Sequence, residues 1–120
     1  MAAPAPPGLP PELAPPPPGA TMAALTFRGK CSVACERVPV PALAEPTDVL
    51  LRVDLCGVCG SDLHPYHCRE EGLDIGTTMG HEMVGRVVAA GATLRGLRVG
   101  TAGCPGVRPR GAAALLASTR

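Results

Sequence analysis

The sequence predicts a mainly β fold, a small barrel or sandwich with little helix. Residues 48–55 alternate between apolar and polar side chains, which is typical of a half-buried strand. Three further segments, 23–27, 32–38 and 81–90, have the length and composition of strands, and glycine or proline turns separate them. Several short strands joined in this way favour a barrel or a sandwich.

Composition divides the chain into three parts. Nine of the first 21 residues are proline, which has a fixed φ and no amide hydrogen, so we expect 1–21 to be a disordered, extended N-terminus. The segment 101–120 is rich in glycine, alanine, arginine and proline without alternation, and we expect an irregular, disordered tail. One domain is expected to span 22–100.

The predicted strands follow one another through short connections. Residues 28–30 are the expected turn between the first two strands. After the third strand, Gly57 and Gly60 permit a tight turn, and a short helical turn is expected to end near Tyr66. Residues 67–79 are a predicted loop that leads into the fourth strand.

The predicted core consists of the apolar side chains on one face of each strand. Cys31 and Cys35 lie in the first strand pair and are interpreted as small packing residues. The full set of predicted core residues is Leu25, Phe27, Val33, Val49, Leu51, Val53, Leu55, Val84, Val87 and Val88.

Charge and composition exclude several functions. The net charge is +1, with one Phe, one Tyr and no Trp, so neither nucleic acid nor a membrane surface is an expected partner. No apolar run approaches the roughly 20 residues of a membrane span. Because no signal-peptide pattern is visible, the six cysteines are expected in a reducing cytoplasm, where clustered cysteines bind metal or do chemistry.

Two motifs carry the candidate chemistry. The segment Cys56-Gly-Val-Cys-Gly-Ser-Asp-Leu-His64 follows the third strand, and Gly80-His-Glu82 opens the fourth. Thiolate and imidazole are ligands that zinc prefers, so Cys59 and His81 are interpreted as metal ligands, with the carboxylate of Glu82 beside them. Spacing alone also permits a structural zinc knuckle, built on Cys56 and Cys59 with His64 or His67, and Cys68.

Three polar side chains close to Cys59 are candidate catalytic residues. A hydroxyl and an imidazole, those of Ser61 and His64, can pass a proton between a bound alcohol and solvent. The Asp62 carboxylate can hold a ligating histidine in one tautomer. A polar turn that caps a helix would need the same residue types at this spacing.

Four segments together resemble the N-terminal part of zinc-dependent medium-chain alcohol dehydrogenases. They are Met22-Ala-Ala-Leu-Thr-Phe, Pro46-Thr-Asp-Val-Leu-Leu-Arg-Val, the Cys56–His64 motif, and Gly80-His-Glu-Met-Val-Gly-Arg-Val, in the family's order. The resemblance covers about 22–100. It implies a GroES-like β-barrel catalytic domain, of which this chain contains a part. In the family, a Rossmann domain that binds NAD or NADP follows this domain.

The resemblance also implies a role for each matched residue. Cys59 and His81 correspond to catalytic zinc ligands, and Glu82 to the acidic residue that can approach the metal. Ser61 and His64 correspond to the proton relay, and Asp62 to the carboxylate that supports the zinc-binding histidine. The family oxidises alcohols to aldehydes or ketones by hydride transfer to nicotinamide, and its members are usually homo-oligomers.

The sequence departs from the family after Gly100, where Thr101-Ala-Gly-Cys-Pro replaces the usual Asp-Arg-Val. No third zinc ligand is matched, and neither a phosphate-binding loop nor a G-x-G-x-x-G motif is present. We therefore expect a catalytic-domain fragment that binds Zn²⁺ and has no site of its own for NAD(P). The alternative is a zinc-binding or interaction fragment without turnover.

Overall fold

The computed structural model describes Gly8, residues 11–103 and the backbone of 114–117. Two short 3₁₀ helices, Pro11–Leu13 and Gly60–Asp62, and one α-helix, α1 (Leu63–Tyr66), accompany the strands. The strands are β1 (Thr21–Gly29), β2 (Ser32–Pro39), β3 (Val49–Gly57), β4 (Glu82–Ala90), β5 (Ala102–Gly103) and β6 (Ala114–Ala117). The predicted fold class, mainly β with little helix and a partial barrel, is confirmed.

The strands form two sheets. β1 and β2 make an antiparallel pair, and the second sheet has the order β5-β4-β3-β6, in which only β3 and β6 run parallel. The residues before β4 connect the two sheets. The Phe27 amide donates to the Thr77 carbonyl at 2.9 Å, and the Met79 amide donates to the Leu25 carbonyl at 2.8 Å. The segment leading into β4 is thereby held along the edge of β1.

The ends of the chain differ from the sequence-based expectation where the structure describes them. Pro11–Leu13 forms a 3₁₀ turn, and Leu13 packs with Leu50 and Val88 in a buried cluster. β1 begins at Thr21, one residue inside the predicted extension. Beyond Gly100, β5 and β6 extend the second sheet, although this segment was expected to be irregular. Residues 1–7, 9–10, 104–113 and 118–120 lie outside the description.

Strand β3 does not keep the simple alternation that the sequence suggests. Its pairing with β4 shifts register between Leu50 and Leu51 and again between Val53 and Leu55. A bulge rotates the side chains that follow it, so Leu50 and Leu51 are both buried, at 5% and 4% exposure, whereas Leu55 is 71% exposed. The prediction that Leu55 faces the core is wrong for this reason.

The predicted core is confirmed in part. Four of its members are buried, namely Phe27, Leu51, Val87 and Val88, while Leu25, Val49 and Val53 are half-buried. Val33 and Val84 are exposed, as Leu55 is. Cys31 and Cys35 are exposed too, so their interpretation as packing residues is wrong. The buried apolar residues missing from the prediction are Leu13, Met22, Ala24, Leu50, Met79 and Met83.

At Gly85, in strand β4 of the second sheet, the backbone of β3 lies too close to leave room for a side chain. A Cβ added there would lie 2.4 Å from the Arg52 carbonyl oxygen, and backbone cannot move away as a side chain can. We expect Gly85→Ala to destabilise the domain by about 1–3 kcal/mol, as overpacking does. Gly103, its register partner in β5, has open space around an added Cβ and gives the control Gly103→Ala. Equal loss of stability in both variants, measured by chemical denaturation, would contradict this account.

We expect Glu36 to make the stability of the first sheet depend on pH. Its carboxylate forms an ion pair with Arg28 and accepts a 2.6 Å hydrogen bond from the fully buried Thr26 hydroxyl. The Arg28 contact, followed by the Thr26 hydrogen bond, holds the pKa of Glu36 below its usual range. A carboxyl with a lowered folded-state pKa stabilises the fold above its unfolded pKa, and this contribution is lost as the pH falls through the folded pKa.

Thermal melts of Glu36→Gln against pH test this linkage. We expect the wild type to melt at a higher temperature than the variant near neutral pH, with the difference shrinking below the usual carboxyl range. Glu70→Gln, in an exposed loop segment, should track the wild type across the same range. A wild-type advantage that grows in acid would show that the sign is wrong.

Candidate metal centre

The pairing of β3 with β4 brings the two sequence motifs together. Gly57 is opposite Glu82 in the register, so Cys59 follows the end of one strand by two residues and His81 precedes the other by one. Cys59 then begins the 3₁₀ turn Gly60–Asp62, in which its Sγ accepts the Ser61 amide at 3.3 Å. The Asp62 carboxylate accepts the Cys59 amide at 3.0 Å in return. This reciprocal capping box fixes the turn that carries the thiol.

Three side-chain atoms form a tight triangle at the centre of the site. Cys59 Sγ lies 2.9 Å from Ser61 Oγ and 3.0 Å from His81 Nε2, and Ser61 Oγ lies 3.3 Å from the same Nε2. A thiol, a hydroxyl and an imidazole nitrogen thus share one small volume. All three residues can exchange protons here, and two of them are preferred zinc ligands.

The Asp62 carboxylate contacts two of these three residues, Cys59 and His81, on the side away from the triangle. It is nearly buried, and Oδ1 lies 3.4 Å from His81 Nδ1 and accepts the Gly80 amide at 3.4 Å. Its other oxygen accepts the Cys59 amide. Because Nδ1 faces Asp62, the other ring nitrogen of His81 points toward the thiol and is free to act as a ligand.

The local charges favour a thiolate beside an imidazolium. Hydrogen bonds from the Ser61 hydroxyl and amide, together with smaller contributions that include the His81 charge, lower the pKa of Cys59. The negative charge of Asp62, followed by that of Cys59, raises the pKa of His81. Zinc requires a thiolate and a neutral imidazole, so the lowered pKa of Cys59 favours the form of the thiol that a metal binds.

The donor set fits a zinc ion. One ligand atom each from Cys59, Asp62 and His81 lies within 4.8 Å of the other two. Tetrahedral coordination with bonds of about 2.3 Å to sulfur and 2.0–2.1 Å to nitrogen separates those two ligands by about 3.5 Å. The observed Sγ to Nε2 distance of 3.0 Å therefore needs to open by only about half an ångström.

Two of the proposed site residues lie outside this group. Within the described residues, neither His64 nor Glu82 has a ligand atom in the cluster of Cys59, Asp62 and His81. His64 is exposed on α1, and the Glu82 side chain faces Gly57 across the strand pair, where an added Cβ would lie 3.3 Å from Oε2. Of the residues of the alternative zinc knuckle, Cys59 belongs to this group, whereas among the described residues Cys56, His67 and Cys68 have no ligand atom in it. His67 contacts Cys31 instead, with Nδ1 3.8 Å from Sγ.

A small cavity is lined in part by the segments that lead into the two motifs. Its volume is about 150 Å³, and two of its lining residues, Val58 and Met79, come directly before Cys59 and Gly80 in the sequence. The complete lining is Met22, Ala23, Ala24, Leu25, Val53, Cys56, Val58, Thr78 and Met79. Sequence alternation did not identify Met22 or Met79 as buried, since neither lies on a predicted core face.

From the sequence, we expected the Asp62 carboxylate only to support a histidine. In the structure it contacts both the Cys59 motif and the Gly80-His81 motif. The signal that could have shown this is the spacing of Cys59 and Asp62. It matches a capping box, in which the acidic residue reaches back to the amide three residues earlier. The contact with the Gly80 amide left no signal in the sequence, because it depends on how the strands pair.

Comparison with known proteins assigns the family. Residues 45–111 match the alcohol dehydrogenase GroES-like domain, a stretch of more than half of the chain that continues beyond Gly100. A zinc-type alcohol dehydrogenase-like protein of Schizosaccharomyces pombe is 36% identical over 87 residues, which is 72% of this chain and 21% of that protein.

Two solved structures are similar in fold. The alcohol dehydrogenase TADH from Thermus sp. ATN1 has a TM-score of 0.64 and 44% identity, over 68% of this chain and 23% of that one. A zinc-binding dehydrogenase from Sinorhizobium meliloti 1021 bound to NADP has a TM-score of 0.62 and 31% identity, over 69% and 24%. The chain thus spans about a quarter or less of the length of these relatives, and it belongs to the alcohol dehydrogenase GroES-like domain family of zinc-type medium-chain dehydrogenases.

Proposed function

We propose that this domain is the zinc-binding catalytic part of an NAD(P)-dependent oxidoreductase that interconverts alcohols with aldehydes or ketones. The observation that carries the proposal is the contact between Cys59 Sγ and His81 Nε2 at 3.0 Å, with Asp62 on the opposite nitrogen of the ring. Family membership supports the reaction class, and the donor chemistry supports the metal.

In this proposal Cys59 and His81 hold the ion. Bound zinc would supply Lewis acidity, which lowers the pKa of an alcohol and polarises a carbonyl oxygen. Two protein ligands leave room for further ones and for substrate. Asp62 fixes the tautomer of His81 by accepting a hydrogen bond from Nδ1. Because Asp62 is nearly buried, water competes little for this hydrogen bond.

Ser61 is the proposed first carrier of the substrate proton. Its hydroxyl lies 2.9 Å from Cys59 Sγ and 3.3 Å from His81 Nε2, so it borders any ligand held between them. His64, exposed on the adjoining helix α1, is the proposed exit to solvent. Glu82 keeps the proposed role of an acidic residue close to the metal, which it would reach only by a change of side-chain conformation.

The remaining parts of the proposal concern the protein in its setting. A small alcohol or carbonyl compound is the proposed substrate, and the NADP in the Sinorhizobium meliloti relative supports a nicotinamide cofactor. A cytoplasmic location is proposed from the five free cysteines among the described residues. None of the helices described for residues 11–103 combines the length and apolar character that a membrane span requires.

Metal titration tests the assigned ligands. We expect the wild-type chain to bind one Zn²⁺ or Co²⁺ and Cys59→Ser to lose more than about 100-fold in affinity, since even outer partners of a metal site contribute 10–100-fold. Cys35→Ser removes an exposed thiol on β2 and should bind as the wild type does. Equal Co²⁺ affinity in Cys59→Ser and Cys35→Ser would rule out Cys59 as a ligand.

The same cobalt form separates catalysis from plain metal binding. A small alcohol should shift the Co²⁺ absorption bands of the wild type if a coordination position is open to substrate. Binding of Co²⁺ without any response to alcohol would favour a non-catalytic metal-binding domain instead.

Substitution of Asp62 tests the support of His81. Because the negative charge of Asp62 is the main cause of the raised pKa of His81, Asp62→Asn should move the His81 titration to lower pH. The measurement is an NMR titration of the imidazole in the metal-free chain. Asp74→Asn, in an exposed loop position, should leave the midpoint in place. A midpoint that stays or rises in Asp62→Asn would contradict the assigned electrostatics.

A further inference from the structure

The Cys56 thiol lies where a side chain at Gly80, the residue before His81, would otherwise fit. A Cβ added to Gly80 would lie 2.9 Å from Cys56 Sγ and 3.2 Å from the Gly57 carbonyl oxygen. The thiol therefore occupies the space directly beside the Gly80 backbone. Gly80 also has φ +88°, a conformation that favours glycine, so this position is restricted by its backbone and by its neighbour.

The Gly80 peptide is held on a second side by the metal centre itself. Its amide donates to Asp62 Oδ1 at 3.4 Å, and the same oxygen lies 3.4 Å from His81 Nδ1. Any displacement of Gly80 would therefore disturb the contact that orients the imidazole. On the far side of His81, Glu82 is fixed by pairing with Gly57, so the backbone has little freedom to absorb the change.

We propose that Cys56 is a positioning residue of the metal centre: its side chain, packed against Gly80, sets the place of the His81 backbone and the direction of Nε2. The ligand atoms grouped around the centre do not include the Cys56 thiol. The residue as a whole is exposed, and partial burial of its thiol, with a smaller contribution from the Asp62 charge, raises the pKa of Cys56. The size of the side chain is what matters in this role.

Size variants at Cys56 test the proposal. Cys56→Ser preserves the approximate size and should bind Co²⁺ as the wild type does. Cys56→Val adds bulk against Gly80 and should weaken Co²⁺ binding by about 10–100-fold, the range found for outer partners of metal sites. Cys35 is exposed as Cys56 is but is not among the nearest neighbours of Gly80, so Cys35→Val on β2 makes the same replacement and should change nothing.

The second readout needs no metal. Imidazole ¹⁵N shifts report which ring nitrogen of His81 carries the proton. In the metal-free wild type and in Cys56→Ser we expect the proton on Nδ1, toward Asp62, once the ring is neutral. In Cys56→Val we expect this preference to be reduced, because displacement of Gly80 loosens the shared contact with Asp62.

The outcomes separate this inference from the proposed function on which its metal readout rests. If the wild type binds no Co²⁺, the proposed function fails, and the ¹⁵N shifts still decide the role of Cys56. A folded Cys56→Val with wild-type Co²⁺ affinity and His81 shifts would overturn the inference. If Cys56→Val does not fold, Cys56→Ala is measured instead. Removal of the thiol should also reduce the preference of the His81 proton for Nδ1, and unchanged His81 shifts in Cys56→Ala would overturn the inference.

Discussion

The site depends on one carboxylate that joins two distant parts of the chain. Asp62 is 8% exposed, and a charge at such a position is stable only with well-placed donors. It accepts the amide of Cys59 with one oxygen, and the amide of Gly80 and the ring of His81 approach the other. The same interactions that make burial of the charge tolerable also set the positions of the thiol and the imidazole.

Strand pairing determines which residues this carboxylate can reach. The register of β3 with β4 places Gly57 opposite Glu82, and the segment before β4 lies along β1 through the amides of Phe27 and Met79. The intervening residues return to the sheet at a fixed point as a result. A thiol and an imidazole that are 22 residues apart in sequence therefore lie 3.0 Å apart, with both sheets contributing to their alignment.

Much of this arrangement could be predicted from residue types and spacing. Alternation located β3, length and composition located β4, and the family motifs named Cys59 and His81, but alternation assumes a regular ladder. Two register shifts in β3 bury Leu50 and Leu51 together and expose Leu55. The position of the Cys56 thiol beside Gly80 could not be predicted either, since it depends on how β3 and β4 pair. Bulges and cross-strand contacts depend on both paired strands, and the residue pattern of one strand does not show how the other strand aligns with it.

The side chains of the two proposed zinc ligands differ in how firmly they are held. His81 is restrained by Asp62 at its ring and through Gly80 at its backbone. Cys59 Sγ, in contrast, contacts only Ser61 besides the imidazole among the hydrogen bonds of the described residues. Zinc coordination would need the distance between Cys59 Sγ and His81 Nε2 to grow by about half an ångström. Rotation of the Cys59 side chain can supply this change more easily than movement of His81. If Cys59 and His81 held a zinc ion, the proton of their sulfur–nitrogen hydrogen bond would have to leave, and the imidazole could keep its contact with Asp62 at Nδ1.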